Sequence, residues 1–277
     1  MTAAGLIEDT GNQVKTTDAF PLNITVTSIN ILNGDFFTNN TNDPIDVVYA
    51  ITPISGSCEG PTKTITVTVE PQVTFLDPGA SETCSGSAVS IVLNSDTNPT
   101  NGGVVFDYVM TAPQLSPATS SGTKLGQGYT ITDVLINNTN TVQTATYSVY
   151  RHAAESAANG LGCDNLGSSI DIVVSVDPMP IMDAIGIQNI CSGDPIALEL
   201  TSPTDLSATA FIVDFIVSDV DYAAGNVTSS APLNIGDTYS VGDYLHDDLT
   251  NTTTTPQIVT YKLIPRNSRA ITNCTGS

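Results

Sequence analysis

Five cysteines, two histidines and two groups of aspartates are the residues of this 277-residue chain whose types invite chemistry. Thiols bind zinc, act as nucleophiles or pair as disulfides, and spacing separates these uses. Zinc sites gather thiolates two to four residues apart and complete the set with further Cys or His. Here Cys58, Cys84, Cys163, Cys191 and Cys274 are all far apart, and His152 and His246 are the only histidines. That argues against zinc. A nucleophilic triad needs a base in reach of its nucleophile, and no Gly-x-Ser-x-Gly elbow accompanies either histidine. Both histidines read as solvated loop residues, and no residue is expected to be catalytic or to bind a cofactor. The oxygen-rich candidates are Asp214, Asp219 and Asp221 with Asp243, Asp247 and Asp248. Ca²⁺ takes several carboxylate and carbonyl oxygens, so these six aspartates are the candidate metal ligands. Neither group matches an EF-hand loop, and a solvated acidic face is the competing reading.

The cysteines fall into a repeat. Cys84-Ser-Gly-Ser-Ala-Val-Ser-Ile-Val-Leu93 returns as Cys191-Ser-Gly-Asp-Pro-Ile-Ala-Leu-Glu-Leu200, an interval of 107 (191 − 84). The later cysteines follow at intervals of 105 (163 − 58) and 111 (274 − 163). Such a period suits one β-sandwich per repeat, whereas a short solenoid repeat is much smaller. Five cysteines with one left over permit fifteen pairings. Joining the early cysteine of each repeat to its late one gives Cys84 with Cys163 and Cys191 with Cys274, and leaves Cys58 without a partner inside the chain. A bridge closing a loop of this size contributes on the order of 4.5 kcal/mol in the chain-entropy account and belongs to an oxidising compartment.

The elements that position these residues read as strands. Leu22, Ile24 and Val26 alternate with polar residues, as do Val47, Tyr49 and Ile51, the run from Thr64 to Glu70, and Ile170, Ile172, Val174 and Val176. Pro71 and Pro178 end two of these runs, since proline donates no ladder hydrogen bond. His152 to Asn159 has the composition of one or two helical turns. Three segments result: 1–71 as the later part of a β-sandwich repeat, 72–178 as a complete repeat, and 179–277 as a repeat without its last strand. Cut repeats at both ends are expected of an internal piece of a longer exported chain, or of repeats completed by strand exchange. The composition is rich in Thr, Ser, Asn, Val and Ile, with 7 Lys+Arg against 28 Asp+Glu and a formal net charge of −21. β-branched residues suit pleated surfaces. The charge opposes binding to nucleic acid phosphates or to an anionic membrane, and no apolar run is long enough for a membrane-spanning helix.

Cys84-Ser-Gly86 and Cys191-Ser-Gly193, the Tyr-x-x-x-Pro strands at Tyr49–Pro53 and Tyr261–Pro265, the Asp133/Leu135 and Asp243/Leu245 turns, and the Glu70-Pro71 and Asp177-Pro178 boundaries form an ordered series. This series resembles the PKD-like repeats of large secreted surface adhesins of Bacteroidota, the gliding-motility type included. The resemblance implies an all-β fold of tandem Ig-like β-sandwich modules, type IX export, and display at the outer cell surface as a stalk or adhesive fibre. Its partners would be neighbouring repeats and a surface polysaccharide or substratum. A glycan-binding or accessory module of a secreted enzyme is a second reading, though a chain without Trp offers little aromatic platform. A subunit of a self-assembling surface filament is a third.

Overall fold

A computed structural model describes residues 5–9, 35–100, 103–153, 168–206, 212–268 and 274–276. The expected strand around Leu22, and Cys163, lie outside the described residues. The structure is all-β, in tandem sandwich modules. In the first module β1 (Ile45–Ile51) pairs antiparallel with β2 (Lys63–Val69) along their whole length. In the second, β3 (Ser81–Cys84), β4 (Val104–Thr111), β5 (Thr119–Gly126), β6 (Gln143–Ala153) and β7 (Ile170–Asp177) form one sheet in the order β5-β4-β6-β7-β3. The second layer comes from the short pairs Ile91–Val92 with Thr130–Ile131 and Leu115–Ser116 with Ile136–Asn137.

Period-2 alternation explains this packing. Along β4, Val104, Phe106, Tyr108 and Met110 face inward, and along β6 so do Ala145, Tyr147 and Val149; with Ile172, Val174 and Val176 of β7 they fill one continuous core. On β7 this matches the alternation of the sequence at Ile172, Val174 and Val176, while Ile170 at the strand's start is only half-buried. β6 runs on to Ala153 because β4 keeps pairing with it as far as Val104. His152 is therefore a strand residue, with its Nε2 3.9 Å from Asp107 Oδ1. His246 is a strand residue too, its ring stacked on Tyr244. Both replace the expected loop positions. The proline boundaries coincide with the ends of β2 at Val69 and β7 at Asp177.

The third module has two three-stranded sheets. β8 (Pro195–Glu199), β10 (Val227–Ser229) and β12 (Tyr244–Asn251) form one in the order β8-β12-β10; β9 (Val213–Asp221), β11 (Thr238–Ser240) and β13 (Thr260–Asn267) form the other in the order β11-β9-β13. β13 corresponds to β6, but among the described residues it has one strand neighbour where β6 has two. Its inward residues Tyr261 and Leu263 are only partly buried, whereas Tyr147 and Val149 are 0% and 1% exposed.

Candidate functional site at the module junctions

Each module is pinned by the same four residues. Asp35, Asp133 and Asp247 accept a hydrogen bond from Tyr49, Tyr147 and Tyr261, in each case 14 residues later. Four residues after each aspartate stands Asn39, Asn137 or Asn251, whose Oδ1 accepts the backbone N–H and the hydroxyl of Thr41, Thr139 or Thr253. Each Nδ2 donates to a carbonyl four residues on. In the first two modules it also crosses to the strand that closes the sandwich, at Val69 O and Val176 O. Burial is the main cause that raises the phenol of Tyr147, followed by the charge of Asp133; burial and then the Asp247 hydrogen bond raise that of Tyr261. Since the constellation recurs in all three modules and a buried polar group must be bonded, it is a folding device rather than a ligand site. Tyr49 and Tyr147 are core residues with bonded hydroxyls, and Tyr261 is a half-buried one. The signal that could have found it is the Asp-x₃-Asn-x-Thr-x₇-Tyr spacing, which is identical three times over.

This constellation also corrects the register of the third module. Asp133 corresponds to Asp247, not to Asp243, because Asp247 is the one that takes its module's tyrosine. Gly86 N–H donates to Leu135 O and Gly193 N–H to Leu249 O, so Leu249 takes the place expected of Leu245. The turn lies four residues later than the Asp243/Leu245 pair.

The six candidate metal ligands are not brought together. Asp214, Asp219 and Asp221 ride on β9, and Asp247 and Asp248 on β12 in the other sheet. Alternation then sends Asp247 inward, 1% exposed, and Asp248 outward. Asp214 accepts from Ser240 Oγ, Asp221 from Ala224 N–H, Asp243 from Ser240 N–H and Asp248 from Ser230 Oγ. Asp247 holds Tyr222, Tyr261 and Ser229. Among the described residues no three His, Cys, Asp or Glu side chains converge as a metal site would require.

Two of the cysteines do converge, across a junction. Cys84 is bonded to Cys274, 190 residues away. This overturns the expected pairs Cys84–Cys163 and Cys191–Cys274, and Cys191 is an exposed free thiol, as is Cys58. The reason lies in β3, which runs parallel to β7 and sets Cys84 opposite Asp177, where the second module ends. There Ser85 N–H donates to Asp177 O. Buried Asn267 of the third module donates from Nδ2 to Asp177 Oδ2 at 2.9 Å, and its Oδ1 and N–H hold Cys274 N–H and O. The late cysteine of one module thus reaches the early cysteine of the module before it.

Further contacts recur at both junctions. Asn98 N–H donates to Asn42 O, and Asp205 N–H to Asn140 O, each at 2.7 Å. At the first junction Asn42 also bonds Asp96, Asn98 bonds Asp43, and Glu70 accepts Thr100 N–H. At the second, Val142 of the middle module packs against the third module's core. The loops that carry these contacts are the Asn-x-Thr turns at Asn39 and Asn137. Residues 12–73, 81–180 and 188–277 match the PKD-like domain family. The chain belongs to that family. No curated protein matches it. PKD-like modules are commonly structural or adhesive parts of surface proteins and are typically non-catalytic Ig-like folds. In this PKD-like chain the junctions are where side chains do more than fill a core.

Proposed function

We propose that this chain is a structural and adhesive repeat segment of a bacterial surface adhesin, a stalk or fibre of the gliding-motility type, secreted and displayed at the outer cell surface. The observation that carries this reading is the covalent junction. A chain whose task was only to hang modules on a string would not need to bond one to the next through Cys84 and Cys274. Disulfides persist outside the cytosol, which supports export, and an acidic, Lys-poor surface keeps an extended rod soluble.

The bridge also changes how tension travels. Force applied at the two chain ends passes from Cys84 through sulfur to Cys274, and the residues between them are shielded. A chain of 190 residues would extend by roughly 630–680 Å at 3.3–3.6 Å per residue. Single-molecule pulling is expected to show this length hidden in the oxidised protein and released by reductant. Full extension without reductant would remove the mechanical reading. Antibody labelling of intact cells of the source organism tests display, and signal only after permeabilisation would refute it.

A further inference from the structure

We propose that Cys191 and the edge of β13 that is unpaired among the described residues over 260–263 form a covalent docking site for a further PKD-like module. That module adds its lead-in strand beside β13 and joins to Cys191 a cysteine in the position of Cys274. The first observation is that Cys191 is built as Cys84 is. In both turns the following glycine has positive φ, +81° at Gly86 and +94° at Gly193, and donates to the corresponding leucine carbonyl. In both, the serine hydroxyl accepts the N–H of the pinning asparagine, Asn137 at 2.9 Å and Asn251 at 2.9 Å. Cys84 carries a bond to the next module; Cys191 is free and exposed.

The second observation is independent of sulfur. β7 pairs with β6 along Gln143–Val149, which corresponds to 257–263 in the third module. Beyond that stretch lies Pro265, so the edge that would be paired contains no proline after Pro256. β7 in turn gives β3 its partner and so fixes Cys84. In the third module residues 188–191 are not in a strand, and Ile187 and Ile258 are 94% and 80% exposed. A strand of alternating pattern, such as Ile-x-Ile-x-Val-x-Val, would bury Tyr261 and Leu263 and receive the second hydrogen bond that Asn39 and Asn137 give to Val69 and Val176.

The donor half is also visible. Gly60 N–H donates to Pro53 O and Gly276 N–H to Pro265 O, each two residues after a cysteine. Cys58 thus occupies the backbone position of Cys274, and unlike it is exposed and free. Bond formation at Cys191 consumes two thiols and releases two protons and two electrons, which an oxidised dithiol compound such as glutathione disulfide accepts as it becomes two thiols.

The test lengthens the full chain after Ser277 by a second copy of its own residues 168–277. Non-reducing peptide mapping is expected to find Cys191 bonded to the added counterpart of Cys274, with Cys84–Cys274 retained. Alkylation of Cys191 is lost, and returns when that counterpart is changed to serine. Cys191 that still alkylates beside a cooperatively folded added module overturns the proposal. If the added module does not fold, an extension by residues 168–178 alone is scored by hydrogen exchange. Slower exchange over 257–263 is expected, and unchanged exchange overturns the strand-addition half.

Discussion

Replacing Cys84, a residue of the second module, by serine is expected to destabilise the third. With the bridge intact, an unfolded third module stays pinned at both ends: at Asp177, where β7 stops opposite Cys84, and at Cys274. The pinned loop is 97 residues (274 − 177). In the chain-entropy account, closing a loop of that length contributes about 4.7 kcal/mol, and measured bridges more often give about 2–4. For a domain of this size that corresponds to a fall in Tm of on the order of 10 °C or more. The third module is also expected to melt before the second. Among the described residues its core gathers eight buried hydrophobic residues, against nineteen in the second. The assay is differential scanning calorimetry of the full chain with Cys84→Ser, Cys274→Ser and Cys163→Ser. The first two should lower the same, earlier transition by equal amounts. If Cys84→Ser left that transition in place and moved the later one together with Cys163→Ser, the pairing would be within a module and the reasoning wrong.

Two further predictions concern the repeated constellation. The fold raises the Tyr147 and Tyr261 phenols above their ordinary value, so their contribution is complete below about pH 10 and is lost as pH climbs through the raised range. Urea midpoints measured from pH 7 to 11 should fall above pH 10, less steeply in Tyr147→Phe and Tyr261→Phe; an equal fall in these variants would assign it to other groups. Asn137→Ala should cost about 1–3 kcal/mol, because it strips a buried carbonyl, Val176 O, of its side-chain donor. Asn251→Ala should cost less, since its Nδ2 donates to the exposed Thr255 carbonyl and not to a buried carbonyl of a closing strand. Equal losses in denaturant titrations would mean that the crossing bond contributes nothing.

Much of the architecture was legible because alternation and turn residues are local signals. Val47 and Tyr49, Ala145, Tyr147 and Val149, and Ile172 to Val176 declare their inward faces at period two, and Pro71 and Pro178 mark where ladders stop. The repeat of Cys84-Ser-Gly86 at Cys191-Ser-Gly193 likewise fixes equivalent turns, which the glycine φ values and serine hydrogen bonds bear out. Local pattern fails where two solutions share it. Asp243-Tyr-Leu245 and Asp247-Asp248-Leu249 both satisfy Asp-x-Leu, and the pattern of that turn alone does not separate them; the longer spacing to Asn251, Thr253 and Tyr261, and the hydrogen bonds from Tyr261 and Gly193, mark Asp247 as the counterpart of Asp133. The six aspartates looked clustered along the chain, but a strand turns neighbours to opposite faces and the fold puts β9 and β12 in different sheets.

What the sequence determined by itself, then, is an acidic, all-β tandem array with an early and a late cysteine in each of the second and third repeats. Which cysteine meets which was decided by tertiary structure. The same register permits an early–late bond within a module or between modules, since periodicity carries no information about which faces touch. The parallel placement of β3 beside β7 carries Cys84 to the end of its module, and Asn267 bonded to Asp177 holds Cys274 against it. Those contacts are between residues far apart in the chain, so they exist only once both sandwiches have formed.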